Sequence, residues 1–230
     1  MPSMFDTYVI NKGNKEAYNA IFDIIQQHDT PQNFFIYGPK GSGKTSFMYT
    51  RAVEKDLLST KRCKIHAAAE MIAVLKLDAA DFYFEEIGGV DVLLVDDFEG
   101  FVNEAQIGSM FCKLMLQERA RLGLDTIITS EKPLNAFDLS GFGEEIKSFS
   151  EIQISPLEKS DYAELAVKLS HYYAKGSKNL LLSQDAAEFI ALQFAGGIDD
   201  VYNSVRFLVQ AAGLDDGAVI TAELAKKLLN

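Results

Sequence analysis

Nothing in this chain of 230 residues has the length of a membrane helix: its uninterrupted apolar runs are only a few residues long, and a bilayer needs about 20. Cysteine is scarce as well. Cys63 and Cys112 have neither metal-ligand spacing nor a bridging pattern, so they read as small buried hydrophobes in a reducing compartment. Met1-Pro2-Ser3-Met4-Phe5-Asp6 has no basic segment ahead of an apolar run, so no secretory leader is expected and the cytoplasm is the expected location. Basic stripes are missing too. The net charge is −11 and the densest basic cluster, Lys61-Arg62-Cys63-Lys64, is short, so intrinsic binding to duplex DNA is expected to be weak and a protein partner is favoured. No internal repeat or low-complexity stretch occurs. What remains is an ordinary globular composition, 48% apolar and 24% charged, with enough chain for one large domain or one domain and a small satellite.

The most informative stretch is Gly38-Pro39-Lys40-Gly41-Ser42-Gly43-Lys44-Thr45, a full match to the phosphate-binding loop pattern, Walker A. The apolar run Asn33-Phe34-Phe35-Ile36-Tyr37 precedes it and Ser46 to Val53 can continue as a helix, which is the strand–loop–helix context the motif requires. Gly38, Gly41 and Gly43 allow the tight turn that points successive N–H groups at phosphate oxygens. The helix start adds its positive dipole, Lys44 is placed to reach the β- and γ-phosphates, and the Thr45 hydroxyl to ligate Mg²⁺. A nucleoside phosphate, ATP or ADP, is the expected ligand.

Strands and helices alternate through the first two-thirds. Helical spacing covers Lys15 to Gln27, Ala67 to Leu77 and Asn103 to Leu122, the last ended by Gly123. Strands are expected at Asn33–Tyr37, Cys63–His66, Val90–Val95, Thr126–Thr129 and Glu151–Ile154. This predicts a three-layer α/β/α domain around a five-stranded parallel sheet. After Ser155-Pro156 only helical segments are expected: Lys159–Tyr173, Gln184–Phe194, Asp199–Ala212 and Thr221–Leu229. The expected division is an α/β domain over 1–156 and a small all-α domain over 157–230.

A second motif, Walker B, fits the first. The apolar run Val92 to Val95 leads straight into Asp96-Asp97, where a phosphate-loop protein holds its Mg²⁺. Asp96 is the expected metal partner, through water, and Asp97 is placed to polarise an attacking water. A third strand, Ile127-Ile128, ends in Thr129-Ser130, either of which can sense the γ-phosphate; most strands end in polar residues, so this signal gains force only from the order of motifs.

That order, together with Phe5 to Asn14 ahead of the loop, Leu93-Leu94-Val95-Asp96-Asp97-Phe98-Glu99 and Ile128-Thr129-Ser130-Glu131-Lys132-Pro133, resembles the AAA+ ATPases and within them the DnaA/Hda family of replication-initiation proteins. The resemblance covers nearly the whole chain. It implies that the carboxy-terminal helices form a lid and that Val9 and Ile10 contact adenine. It further implies catalytic roles for Lys44, Asp96, Asp97 and Thr129, and a phosphate cradle of Gly38, Pro39, Lys40, Gly41, Ser42, Gly43, Lys44, Thr45 and Ser46. Mg²⁺ falls to Thr45 and Asp96. DnaA, another AAA+ subunit or a second copy in a homodimer is the implied partner.

Departures from the family pattern bear on activity. Where the family's sensor arginine opens a lid helix, this chain reads Gly196-Gly197-Ile198-Asp199-Asp200-Val201, and an aspartate repels the γ-phosphate that an arginine would neutralise. In place of the arginine finger, Ile146-Lys147-Ser148-Phe149 offers only Lys147, which lacks a planar fork. Slow hydrolysis or retention of ADP is therefore expected. No helix-turn-helix domain follows the lid and no clamp-binding motif opens the chain, so neither origin recognition nor clamp binding is expected. The alternatives are a helicase loader of the DnaC type and a non-hydrolysing nucleotide-bound adaptor. A small-molecule kinase fits less well, because only Arg51, Arg62, Arg119, Arg121 and Arg206 are available to clamp two phosphorylated substrates.

Overall fold

A computed structural model describes residues 7–25, 32–48, 62–77, 80–174, 181–193, 197–212 and 219–229. They form two compact units. One comprises residues 14–39 and 44–155, and the other residues 1–13, 40–43 and 156–230.

The first unit holds α1 (Lys15–Ile25), β1 (Asn33–Tyr37), β2 (Cys63–Ala67), α2 (Ala68–Leu75), α3 (Ala80–Gly88), β3 (Val92–Asp96), α4 (Glu99–Asn103), α5 (Ala105–Met110), α6 (Gln117–Leu122), β4 (Asp125–Ser130), α7 (Glu144–Lys147) and β5 (Ser150–Gln153). Its sheet runs β2-β3-β4-β1-β5 with every pairing parallel. Both faces of a parallel sheet are covered, so its central strands are buried without alternation. β3, Val-Leu-Leu-Val-Asp, and β4, Asp-Thr-Ile-Ile-Thr-Ser, are buried at every position. Over one face, Phe98 sits among Phe35, Phe101, Phe137 and Phe142, with ring centroids 5.5 to 6.2 Å apart. Burying one such ring contributes about 1.5–3 kcal/mol.

Several expected boundaries move. The strand expected from Val90 begins at Val92, because the Val90 carbonyl is taken by the Arg119 guanidinium at 2.8 Å rather than by a neighbouring strand. In place of the helix expected from Asn103 to Leu122 stand the last residue of α4, then α5 and α6 with a π-helical turn, Phe111–Leu116, between them. Glu104, at φ −115 and ψ 60, breaks it first. Gly123 does end it, in the left-handed conformation at φ 67. Helix α3 was not foreseen. The expected helix after the phosphate loop is described for residues 44–48; its later residues, and the end of Lys15–Gln27, lie outside the described residues.

The second unit contains α8 (Lys159–Tyr173), β6 (Leu181–Leu182), α9 (Gln184–Gln193), α10 (Ile198–Ala211), β7 (Val219–Ile220) and α11 (Ala222–Leu229). Contrary to the expectation of helices alone, β6 and β7 form a short parallel pair, Leu182 beside Ile220. Two residues per strand are too few to leave a periodicity in the sequence. The apolar core joins Leu165, Leu169, Ile190, Val201, Val205 and Leu208, and it includes Val9 from the amino-terminal segment. Polar contacts fasten that segment further: Asn11 donates to Asp161 at 2.6 Å, and Lys168 donates to the Tyr8 carbonyl at 3.0 Å.

Candidate nucleotide site

β1, β3 and β4 end at one edge of the sheet, and register decides what meets there. Ile36 lies beside Thr129 and Tyr37 beside Ser130; Val95 lies beside Ile128. Asp96, the last residue of β3, therefore stands level with Thr129. The Thr129 hydroxyl donates to Asp96 Oδ1 and accepts from the Asp97 N–H at 3.3 Å. The Thr129 carbonyl accepts the Phe98 N–H at 2.9 Å, and the Ser130 carbonyl accepts the Gly38 N–H at 3.1 Å. Thr129 and Ser130 are fully buried and Asp96 nearly so.

Lys44 joins this group from the first helical residue after the loop. Its Nζ donates to the carbonyls of Gly38 at 2.6 Å and Pro39 at 3.1 Å. Burial pushes the lysine pKa down, while Glu131, Asp96, Glu99 and Asp97, in that order, pull it up. The aspartate beside it moves the other way. Burial raises the Asp97 pKa first, Asp96 and Glu99 add repulsion, and Lys44 partly offsets them. Asp97 also holds φ 61, the one positive φ outside glycine among the described residues. Such conformations cost energy and persist where surrounding contacts fix them, here the two bonds to Thr129.

Within the loop, Gly41 and Gly43 take φ 79 and 89, as an inward-facing run of amides requires. Residues 40–43 group with the helical unit. There a Cβ on Gly43 would lie 2.5 Å from Ile198 Cδ1. Ser42 is buried and its hydroxyl has no hydrogen-bond partner, an orphaned polar atom of the kind a phosphate oxygen satisfies. Pro39, Lys40 and Thr45 are exposed, and Ser46 is half-buried. Among the described residues no three His, Cys, Asp or Glu side chains gather to hold a metal by themselves. That suits Mg²⁺ held by one or two protein groups together with phosphate, and the buried Asp96 carboxylate and exposed Thr45 hydroxyl fit it.

Val9 is buried in the helical unit's apolar core, while Ile10 is 46% exposed. Asp199 and Asp200 are exposed in the first turn of α10. Lys147, at the place of the missing finger, donates to Glu144 at 2.6 Å. Two acidic residues with no assigned role, Glu99 and Glu131, do belong to the field around Lys44. Glu99 could have been found from its place one turn beyond Asp96; Glu131 carries no local signal.

The bacterial DnaA ATPase domain model matches residues 2–152. The chain belongs to that family. It is 28% identical to the chromosomal replication initiator protein DnaA of Campylobacter jejuni over 98% of its own length and 51% of the relative's. The chain thus spans about half the length of the curated relatives it matches. Among solved structures, domain III of Thermotoga maritima DnaA overlays with a TM-score of 0.78 at 19% identity, covering 98% of this chain and 94% of that one. AMPPCP-bound DnaA from Aquifex aeolicus gives 0.68 at 18% identity, covering 92% and 66%. These likenesses fix the AAA+ P-loop fold of this DnaA-family chain. Among the described residues no helix is long and apolar enough to cross a membrane.

Proposed function

We propose that this DnaA-family chain is an adenine-nucleotide-binding AAA+ protein that regulates chromosomal replication initiation through nucleotide-dependent contacts with another AAA+ subunit, in the manner of Hda. The observation that carries the reading is the meeting of Lys44, Asp96 and Thr129 at the ends of β1, β3 and β4. In this scheme Lys44 leaves its loop carbonyls for the β- and γ-phosphates, and the amides of residues 38–46 surround the phosphate tail. Asp96 and Thr45 would hold Mg²⁺, which would supply charge neutralisation on the phosphates. Asp97 orients a water and Thr129 reports on the γ-phosphate. Val9 and Ile10 remain the proposed adenine contacts. In functional terms we assign the nucleotide-binding domain to 1–156 and the lid to 157–230.

Regulation fits better than rapid turnover. An aspartate replaces the family's sensor arginine, and Lys147 in its ion pair with Glu144 is no arginine finger. Each arginine of this kind is worth orders of magnitude in rate, so the nucleotide acts as a retained ligand that selects a docking state. The test is capture on an immobilised DnaA-type initiator with MgADP, with MgATP and without nucleotide. Retention at least about tenfold stronger in one state is expected, which corresponds to about 1.4 kcal/mol of coupling. Equal retention in all three contradicts the proposal, and capture of the replicative helicase instead identifies a loader.

A further inference from the structure

Glu99 has no part in the scheme above, yet it ties two pieces of the site together. Its Oε1 accepts the Ser130 hydroxyl and the Glu131 N–H, each at 2.6 Å. Its Oε2 is buried and has no hydrogen-bond partner. The turn 97–99 is thereby fastened to the end of β4 at four points. Two run from the turn to Thr129, through the N–H groups of Asp97 and Phe98. The other two run from the strand end to Glu99.

The second pair is adjustable. The Ser130 hydroxyl carries one proton and has two acceptors in reach, Glu99 Oε1 and the Lys132 carbonyl at 2.7 Å. It also accepts the Lys132 N–H at 3.1 Å. A charged acceptor wins such a contest, because charge-assisted hydrogen bonds are roughly twice as strong as neutral ones. Leaving one buried carboxylate oxygen unpaired costs stability, and what is kept in return is an acceptor aimed at the strand end. Glu99 lies three residues after Asp96, on the turn whose Asp97 N–H donates to the Thr129 hydroxyl, so its two bonds join that turn to the residues directly after Thr129. Glu131 and Lys132, just beyond the tie, are exposed.

We propose that Glu99 is a positioning residue of the nucleotide site, holding the strand end Ser130–Lys132 against the Asp97 turn so that nucleotide occupancy is read out at the exposed Glu131-Lys132 pair. The inference rests on the assignment of Lys44 and Asp96 to nucleotide and specifies how that site signals. Amide exchange at Glu131, with and without MgADP, tests it in wild type, Glu99→Ala and Glu99→Gln, with affinities measured by calorimetry. In wild type MgADP slows Glu131 exchange about tenfold. Glu99→Ala speeds it about tenfold and abolishes the nucleotide response while affinity falls less than about threefold. Glu99→Gln keeps an acceptor oxygen and restores the protection. Unchanged exchange and response in Glu99→Ala overturn the proposal, as does failure of Glu99→Gln to restore protection. If wild type binds no MgADP while Glu131 is still protected, the site assignment itself fails and the proposal with it. Should Glu99→Ala not fold, Ser130→Ala is expected to halve the response or more, and an unchanged response overturns the idea equally.

Discussion

Arg119→Met tests the packing of the sheet at the edge opposite the nucleotide site. The arginine is 1% exposed. Its guanidinium donates to the carbonyls of Val90 at 2.8 Å, Gly88 at 3.1 Å and Asp125 at 2.5 Å, and to the Thr126 hydroxyl at 3.0 Å. One side chain thus closes the loop entering β3 onto the start of β4. Burial lowers its pKa to about 10, so it stays charged at neutral pH and its bonds are charge-assisted. Methionine fills much of the space and donates nothing. Orphaning a buried acceptor costs about 1–3 kcal/mol, and water can reach the half-buried Gly88 carbonyl, so we expect a total loss of about 3–5 kcal/mol. At about 2–4 °C per kcal/mol for a chain of this size, Tm falls by about 6–20 °C. Arg119→Lys recovers less than half, since an ammonium cannot make the forked contacts. The assay is thermal and urea unfolding followed by circular dichroism. Thr126 precedes Thr129 by three residues, roughly 10 Å along the strand, so MgADP affinity well below Tm should be unchanged. A loss under about 1 kcal/mol in Arg119→Met, or full recovery by lysine, would refute the reasoning.

Other perturbations separate packing from chemistry. Phe98→Ala opens a cavity among four aromatic neighbours and should cost about 3–5 kcal/mol; urea unfolding within 1 kcal/mol of wild type contradicts that estimate. Gly43→Ala meets Ile198 and a φ of 89 together, so nucleotide affinity should collapse, and adding Ile198→Ala should not rescue it because the backbone strain of about 1–2 kcal/mol remains. Cys112 is fully buried with its thiol pushed up to about 12, so a thiol reagent at pH 8 should label Cys63 alone in the folded protein. Rapid labelling of two thiols would show that the core around Phe111 opens.

How much of this was legible depended on how local the signal was. The phosphate loop and the Asp96-Asp97 strand end are short strings with unusual composition, and each predicts its own surroundings. β1 and β3 were legible because buried parallel strands are near-continuous apolar runs, whereas the edge strands β2 and β5 carry a weaker pattern. β6 and β7 escaped because two residues carry no period, and α3 because Ala80 to Gly88 mixes its apolar and acidic residues without a clear stripe. The π-turn over Phe111–Leu116 keeps the apolar spacing of a helix and departs from it only in hydrogen bonding. The roles of Glu99 and Glu131 arise from pairing between strands distant in sequence, which no single segment encodes. Val9 shows the same limit: its apolar character was plain, but its place in the helical unit's core depends on residues from 162 onward.

The most direct measurement is calorimetric titration of MgADP and MgATP into the wild-type chain and Lys44→Ala. The account predicts one site per chain in wild type and at least about a hundredfold weaker binding without the ammonium group, about 2.7 kcal/mol. Equal heats and affinities in the two proteins, or none in either, would contradict it.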